Sequence, residues 1–159
     1  MILHNIPPVY DRDSTILILG SFPSVKSRET GFFYGHPQNR FWRLLADIYE
    51  EDIPLTIEDK KALLLRHNTA VWDVAGACEI EGSSDSSMKN VVPNDIEKIL
   101  KTADIRTIYV NGKTAEKYYR KYLEQKTGRK AVCLPSSSPA NAAWTYEKLF
   151  NEWRKIKEA

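Results

Sequence analysis

Residues able to do chemistry gather in a few short stretches of this sequence. Gly20-Ser21-Phe22-Pro23-Ser24 brackets a turn between a glycine and a proline; its backbone amides can face a ligand, or the turn can simply lead a strand into a helix. Gly31-Phe32-Phe33-Tyr34-Gly35-His36-Pro37-Gln38-Asn39-Arg40-Phe41-Trp42 joins rings that can stack on a planar base to an amide and a guanidinium. Asn39 stands where a helical pattern begins, equally suited to N-capping and to catalysis, while Phe41 and Trp42 are expected in the core. Leu134-Pro135-Ser136-Ser137-Ser138-Pro139-Ala140-Asn141 sets small hydroxyls between prolines, a stiff loop that can hold a phosphate or serve only as a rigid turn. Lys113 to Lys130 carries seven Lys or Arg against Glu116 and Glu124, with Tyr118, Tyr119 and Tyr122 interleaved; such stripes are usually solvated helix faces. Neither a Walker loop nor a G-x-G-x-x-G fingerprint occurs.

These stretches follow strands. Thr15 to Ser21, Thr69 to Val74, Arg106 to Asn111 and Lys130 to Leu134 are short apolar runs of the kind buried on both faces. Helical patterns lie between them, over Asn39 to Ile48, Lys113 to Gln125 and Trp144 to Lys157. Thr56 with Asp59, and Asn94 with Glu97, have capping-box spacing and predict two further helix starts. In the last helix Tyr146, Leu149, Phe150, Trp153 and Ile156 share one face. Strands alternating with helices predict an α/β fold, a three-layer α/β/α sandwich on a mainly parallel four-stranded sheet, with ligands at the carboxyl ends of the strands. Glu79 to Asn90 is either a surface loop or a site loop.

The 159 residues make one domain with a proper core, and the 42% hydrophobic and 28% charged fractions exclude disordered and low-complexity classes. No apolar run is long enough to span a bilayer and no secretory signal is visible, so the cytoplasm is the expected location. The net charge of +2 excludes a polybasic tail and leaves a local basic face possible. Cys78 and Cys133 are expected reduced and buried; two cysteines cannot build an iron–sulfur cluster, and His4, His36 and His67 lack metal-ligand spacing. No metal or cofactor is expected.

Together, GSFPS, YGHPQNRFW, WDV, NGK and LPSSSPAN, in this order and spacing from Ile16 to about Trp153, resemble the uracil-DNA glycosylase superfamily, most closely its hypoxanthine (deoxyinosine) family. HPQNRFW is also similar to the mismatch-specific uracil and thymine glycosylases. The resemblance implies a metal-free enzyme that flips a deaminated base out of DNA and hydrolyses its N-glycosidic bond, at the few kcal/mol that extrusion costs. It implies a base pocket at Ser21, Phe22, Pro23, Phe33, Tyr34 and Asp73, with Asp85 a further candidate that can equally cap a turn. Relatives carry a polar residue at the third position of the first motif; Phe22 stands here and cannot orient water. The compensating residue is then Asn39, positioning water or steadying the oxocarbenium-like sugar.

Where relatives place a base-reading asparagine, this chain has Asp73, an acceptor suited to hypoxanthine N1–H or else a structural residue. The resemblance assigns Ser136, Ser137, Ser138, Pro139, Ala140 and Asn141 to the DNA backbone, with Lys113 nearby and only Pro139 and Ala140 as a wedge, which favours weakened pairs. A monomer acting on DNA that contains a deaminated base, with no membrane partner, is expected. Alternatives are a mismatch-specific uracil glycosylase and, from another class, an inactive DNA- or nucleotide-binding module on the same fold.

Overall fold

A computed structural model of the chain describes residues 1–4, 6–80 and 88–158. After a two-residue strand β1 (Ile2–Leu3), the chain forms β2 (Ile16–Gly20), α1 (Val25–Thr30), α2 (Phe41–Ile48), α3 (Ile57–Arg66), β3 (Thr69–Asp73), β4 (Ala75–Ile80) and β5 (Met88–Pro93). It continues through α4 (Glu97–Thr102), β6 (Thr107–Asn111), α5 (Lys113–Tyr122), α6 (Glu124–Thr127), β7 (Val132–Leu134) and α7 (Tyr146–Trp153), with a final 3-10 turn over Arg154–Glu158. The central sheet has four parallel strands in the order β3-β2-β6-β7. β2 and β3 are buried along their whole length, as their continuous apolar runs require.

From β2 the chain first builds β3 on one side, then crosses to place β6 on the other. The reversal falls between β2 and β6, where open α/β sheets form their ligand crevice. The registers Gly20↔Asp73 and Asn111↔Leu134 bring the carboxyl ends of all four strands to one edge.

Three differences from the sequence expectation have local causes. β4 and β5 pair antiparallel, with β1 added at the edge of β4, so the ends of the Glu79 to Asn90 stretch are strand rather than loop. Asp85 lies outside the described residues. Asn94 caps no helix, because its Nδ2 donates to Asp73 O (2.9 Å) and satisfies a main-chain carbonyl where β3 ends. Thr56 does accept from Asp59 N (3.0 Å), as its capping box predicts. The long helix expected from Lys113 breaks at Leu123, and Tyr118 and Tyr119 are buried, their hydroxyls donating to Met88 O and Arg129 O; they are core anchors and not part of a basic face. Cys78 is buried and Cys133 half-buried, and neither is in a disulfide.

An aromatic layer underlies the crevice. Phe41 is fully buried, stacked on Tyr34 (centroids 3.9 Å apart) and met edge-on by Trp42 and Trp153. Trp153 also donates its indole N–H to Pro135 O (2.8 Å), tying the last helix to the start of the serine loop. Replacing Trp153 by alanine is expected to lower unfolding stability by about 3–5 kcal/mol in a urea titration, through the cavity left behind and the orphaned carbonyl.

Candidate active site

The carboxyl edge of the parallel sheet holds a cavity of about 110 Å³, far below the roughly 300–1,000 Å³ of drug-sized pockets and suited to a single planar ring system. Its walls include Ser21, Phe22 and Pro23 after β2, Phe33, Tyr34 and Asn39 before α2, Asp73 ending β3, Asn111 ending β6, and Ser136 to Ser138 after β7. Two larger, shallower grooves involve Thr15, Asn68 and Arg106 at the amino ends of the strands, and the acidic turn Glu50 to Asp52. There Arg66 and His67 pair with Glu51, and Lys157 with Glu50, so the charges are spent locally.

Each wall is built by local chemistry. Ser24 caps α1 by accepting from Ser27 N (3.1 Å), and Ser27 Oγ accepts from Gly35 N (2.9 Å), tying the aromatic loop to that helix. Phe22 is buried, its ring edge-on to His4 (5.2 Å) with the Arg28 guanidinium 5.5 Å from its centroid. Tyr34 adopts a left-handed backbone conformation (φ 53°) that turns its ring onto Phe41. Burial, and then the neighbouring Asp73 charge, push its phenol well above the usual range, while Asn111 pulls the other way; the hydroxyl stays protonated.

Asp73 is only 3% exposed. A side chain at Gly20, its register partner, would place Cβ 2.5 Å from Asp73 Oδ1 and 3.0 Å from the Tyr34 hydroxyl, so the glycine makes room for both. Behind the carboxylate, His4 donates Nε2–H to Ala75 O (2.8 Å) and accepts from Ile6 N at Nδ1 (3.3 Å), which fixes the neutral tautomer; Nε2 lies 3.9 Å from Asp73 Oδ2. Burial lowers the His4 pKa below its ordinary value near 6.5; the bond to Ala75 opposes this and Arg28 adds to it.

Asn39 lies one residue before Arg40, the N-cap of α2, and lines the cavity. Its Oδ1 accepts from Phe41 N (3.0 Å), starting α2, and from the hydroxyl of fully buried Ser137 (2.8 Å). Asn111 completes the chain: Nδ2 donates to Ser137 Oγ (3.0 Å) and Oδ1 accepts from Ser137 N (3.0 Å). Arg40 belongs to the fold: its guanidinium donates to the carbonyls of Ser138 (2.9 Å), Asn141 (3.2 Å) and Trp144 (2.5 Å), clamping the serine loop.

That loop uses its own amides. Ser138 N donates to Ser136 Oγ, Ala140 N to Ser138 Oγ and Asn141 N to Ser138 O. Of the two readings of this stretch, these internal bonds fit the rigid turn; Ser137, assigned by the resemblance to the DNA backbone, is instead fully buried with its hydroxyl on Asn39, while Ala140 is exposed. Lys113 is exposed at the start of α5, beside the same edge. The structure thus gathers Ser21, Phe22, Pro23, Phe33, Tyr34, Asn39, Asp73 and the serine loop. Sequence reasoning named the NGK stretch without giving Asn111 a role, and missed His4; the signal for Asn111 was a polar residue ending a buried strand just before Gly112.

Residues 7–157 match the uracil DNA glycosylase superfamily. A protein named hypoxanthine DNA glycosylase from Methanosarcina acetivorans is 35% identical over 158 residues, with 98% of each chain covered. A protein of the same name from Methanosarcina barkeri is 35% identical over 137 residues, covering 85% of each. The solution structure of a candidate uracil DNA glycosylase from M. acetivorans superposes with a TM-score of 0.84 at 34% identity, covering 99% of this chain and 97% of the other. The chain belongs to the uracil DNA glycosylase superfamily. It is a DNA glycosylase, a hydrolase of N-glycosyl bonds. Among the described residues no helix is long and apolar enough to cross a membrane.

Two measurements probe this arrangement. Gly20→Ala is expected to displace the Asp73 carboxylate and lower glycosylase turnover by about a hundredfold with the circular dichroism spectrum unchanged. Because folded His4 binds its proton below 6.5 while the unfolded chain binds it near 6.5, its contribution to stability is full above that pH and is lost as pH falls. His4→Gln should flatten the fall in thermal midpoint between about pH 6.5 and pH 5.

Proposed function

We propose that this glycosylase removes hypoxanthine from DNA as the first step of base excision repair, with Asn39 as its catalytic residue and Asp73 as the reader of the base. The carrying observation is a carboxylate, 3% exposed, in the wall of a cavity sized for one base. Hypoxanthine presents an N1–H donor where adenine presents a lone pair, so an acceptor-only group there attracts the deaminated base and repels the normal one. The two relatives named hypoxanthine DNA glycosylase support the same substrate. Phe22 and Phe33 supply apolar walls for the extruded ring.

In the reaction, water attacks C1′ as the C1′–N9 bond breaks. The purine leaves with the bonding electron pair and takes up a proton, and an abasic sugar bearing the new hydroxyl remains. Asn39, with Oδ1 already engaged, faces this event with its N–H groups. They can hold the water oxygen or receive charge developing on the departing base. A bound cation of the sugar would need the oxygen end, so the oxocarbenium role gives way to the donor role.

Labelled duplexes containing inosine, uracil or xanthine, incubated with the protein and then with alkali, test the reading. Strand cleavage strongest at inosine is expected, with Asn39→Ala lowering it by about a hundredfold or more while DNA binding persists. Asp73→Asn should reduce the preference for inosine over uracil by about tenfold or more, the cost of mispairing a buried acceptor. Cleavage at uracil alone, or an unchanged preference in Asp73→Asn, would overturn the substrate assignment.

A further inference from the structure

We infer that Ser137 and Asn111 are positioning residues that decide which end of the Asn39 amide faces the cavity. The inference rests on the reading of Asn39 as the catalytic group. An asparagine has one accepting and one donating end, and its orientation is set by its partners. Two main-chain N–H groups, which cannot reverse, fix the polarity here. Phe41 N donates to Asn39 Oδ1 at 3.0 Å, and Ser137 N donates to Asn111 Oδ1 at 3.0 Å.

With its oxygen so held, Asn111 must offer Nδ2–H to Ser137 Oγ, at 3.0 Å. Ser137 has a single proton; its lone pair is taken by Asn111, and the proton goes to Asn39 Oδ1 at 2.8 Å. Ser137 is fully buried, so bulk water does not compete for that proton. The accepting end of Asn39 is thereby saturated. Its Nδ2, which has no hydrogen bond among the described residues, is the end left for the cavity that Asn39 lines. The relay thus makes Asn39 a fixed donor, able to bind water oxygen or a leaving base and unable to act as a proton acceptor.

Ser137→Ala deletes the link with a small change of volume. Asn111→Asp keeps the shape and reverses the chemistry: the ionised carboxylate captures the Ser137 proton and frees Asn39, whereas the protonated acid donates to Ser137 Oγ and restores the relay. The readouts are single-turnover cleavage of inosine- and uracil-containing duplexes against pH, DNA affinity, thermal midpoint, and the ¹⁵N-detected Asn39 side-chain amide. Ser137→Ala should turn over about tenfold more slowly with DNA affinity close to wild type and a thermal midpoint lowered by the partner groups left on Asn39 and Asn111. Asn111→Asp should be similarly slow near about pH 8 and recover relative to wild type as the pH falls to about 4 and below, through the ordinary carboxylate range. In both variants the Asn39 amide protons should shift and exchange faster.

Wild-type rates together with an unchanged Asn39 amide in both variants would overturn the inference, as would a pH-independent defect in Asn111→Asp. Should Ser137→Ala fail to fold, the pH profile of Asn111→Asp decides. Should the wild type cleave neither substrate, the substrate reading fails, and the amide comparison alone decides the positioning role.

Discussion

Everything at the site hangs on the register of one parallel ladder. β2 pairs residue for residue with β3 on one side and β6 on the other, so Gly20, Asp73 and Asn111 arrive together at a single edge. A slip of one residue would turn their side chains to the opposite faces of the sheet. Burial of β2 and β3 on both faces forbids the slip only in part, since apolar residues occupy both faces. Specificity comes from the ends, where Val74 N bonds Gly20 O (2.7 Å) and Ala75 N bonds Ser21 O (3.0 Å). Those bonds carry the strand pairing beyond the sheet and stop β2 at the glycine that Asp73 requires.

The loops above this edge are held by polar groups that would be costly if unpaired. Arg40 collects carbonyls from Ser138, Asn141 and Trp144, Asn94 satisfies Asp73 O, and Trp153 satisfies Pro135 O. The donors Arg40, Asn94 and Trp153 do not themselves line the cavity, although two of the residues they hold, Ser138 and Asp73, do. Each satisfies a backbone oxygen that would be costly to leave unpaired. The rigidity of the site is thus distributed over residues that take no part in its chemistry.

The four strands of the central sheet were legible because continuous apolar runs have one structural meaning in an alternating strand and helix pattern. Ser21 to Pro23, Asp73 and the serine loop stood out because they follow those strands, whereas Phe33, Tyr34 and Asn39 precede α2 and stood out by the composition of their own stretch. What the sequence concealed was partnership. Asn94 has the spacing of a cap yet serves a carbonyl brought near it by β3, and Tyr118 and Tyr119 read as surface aromatics among lysines yet anchor the core. The small antiparallel sheet escaped because β1 is two residues long and β4 alternates weakly. The serine loop stayed open between a phosphate-holding loop and a rigid turn because hydroxyl side chains that consume neighbouring amides look, in sequence, the same as side chains that leave them open.

The shortest strand has the longest reach. Ile2 and Leu3 hold the N-terminal segment against β4, and the next described residue, His4, carries the bond to Ala75 O and the ring edge against Phe22. A two-residue pairing at the edge of a small sheet opens at lower cost than the buried core. Each such opening takes the imidazole away from the wall behind Asp73 and admits water there. Amide exchange at His4, whose N–H donates to Gly76 O, and at Ile6, whose N–H donates to His4 Nδ1, would therefore report the lifetime of the intact cavity wall more directly than any probe of the central sheet.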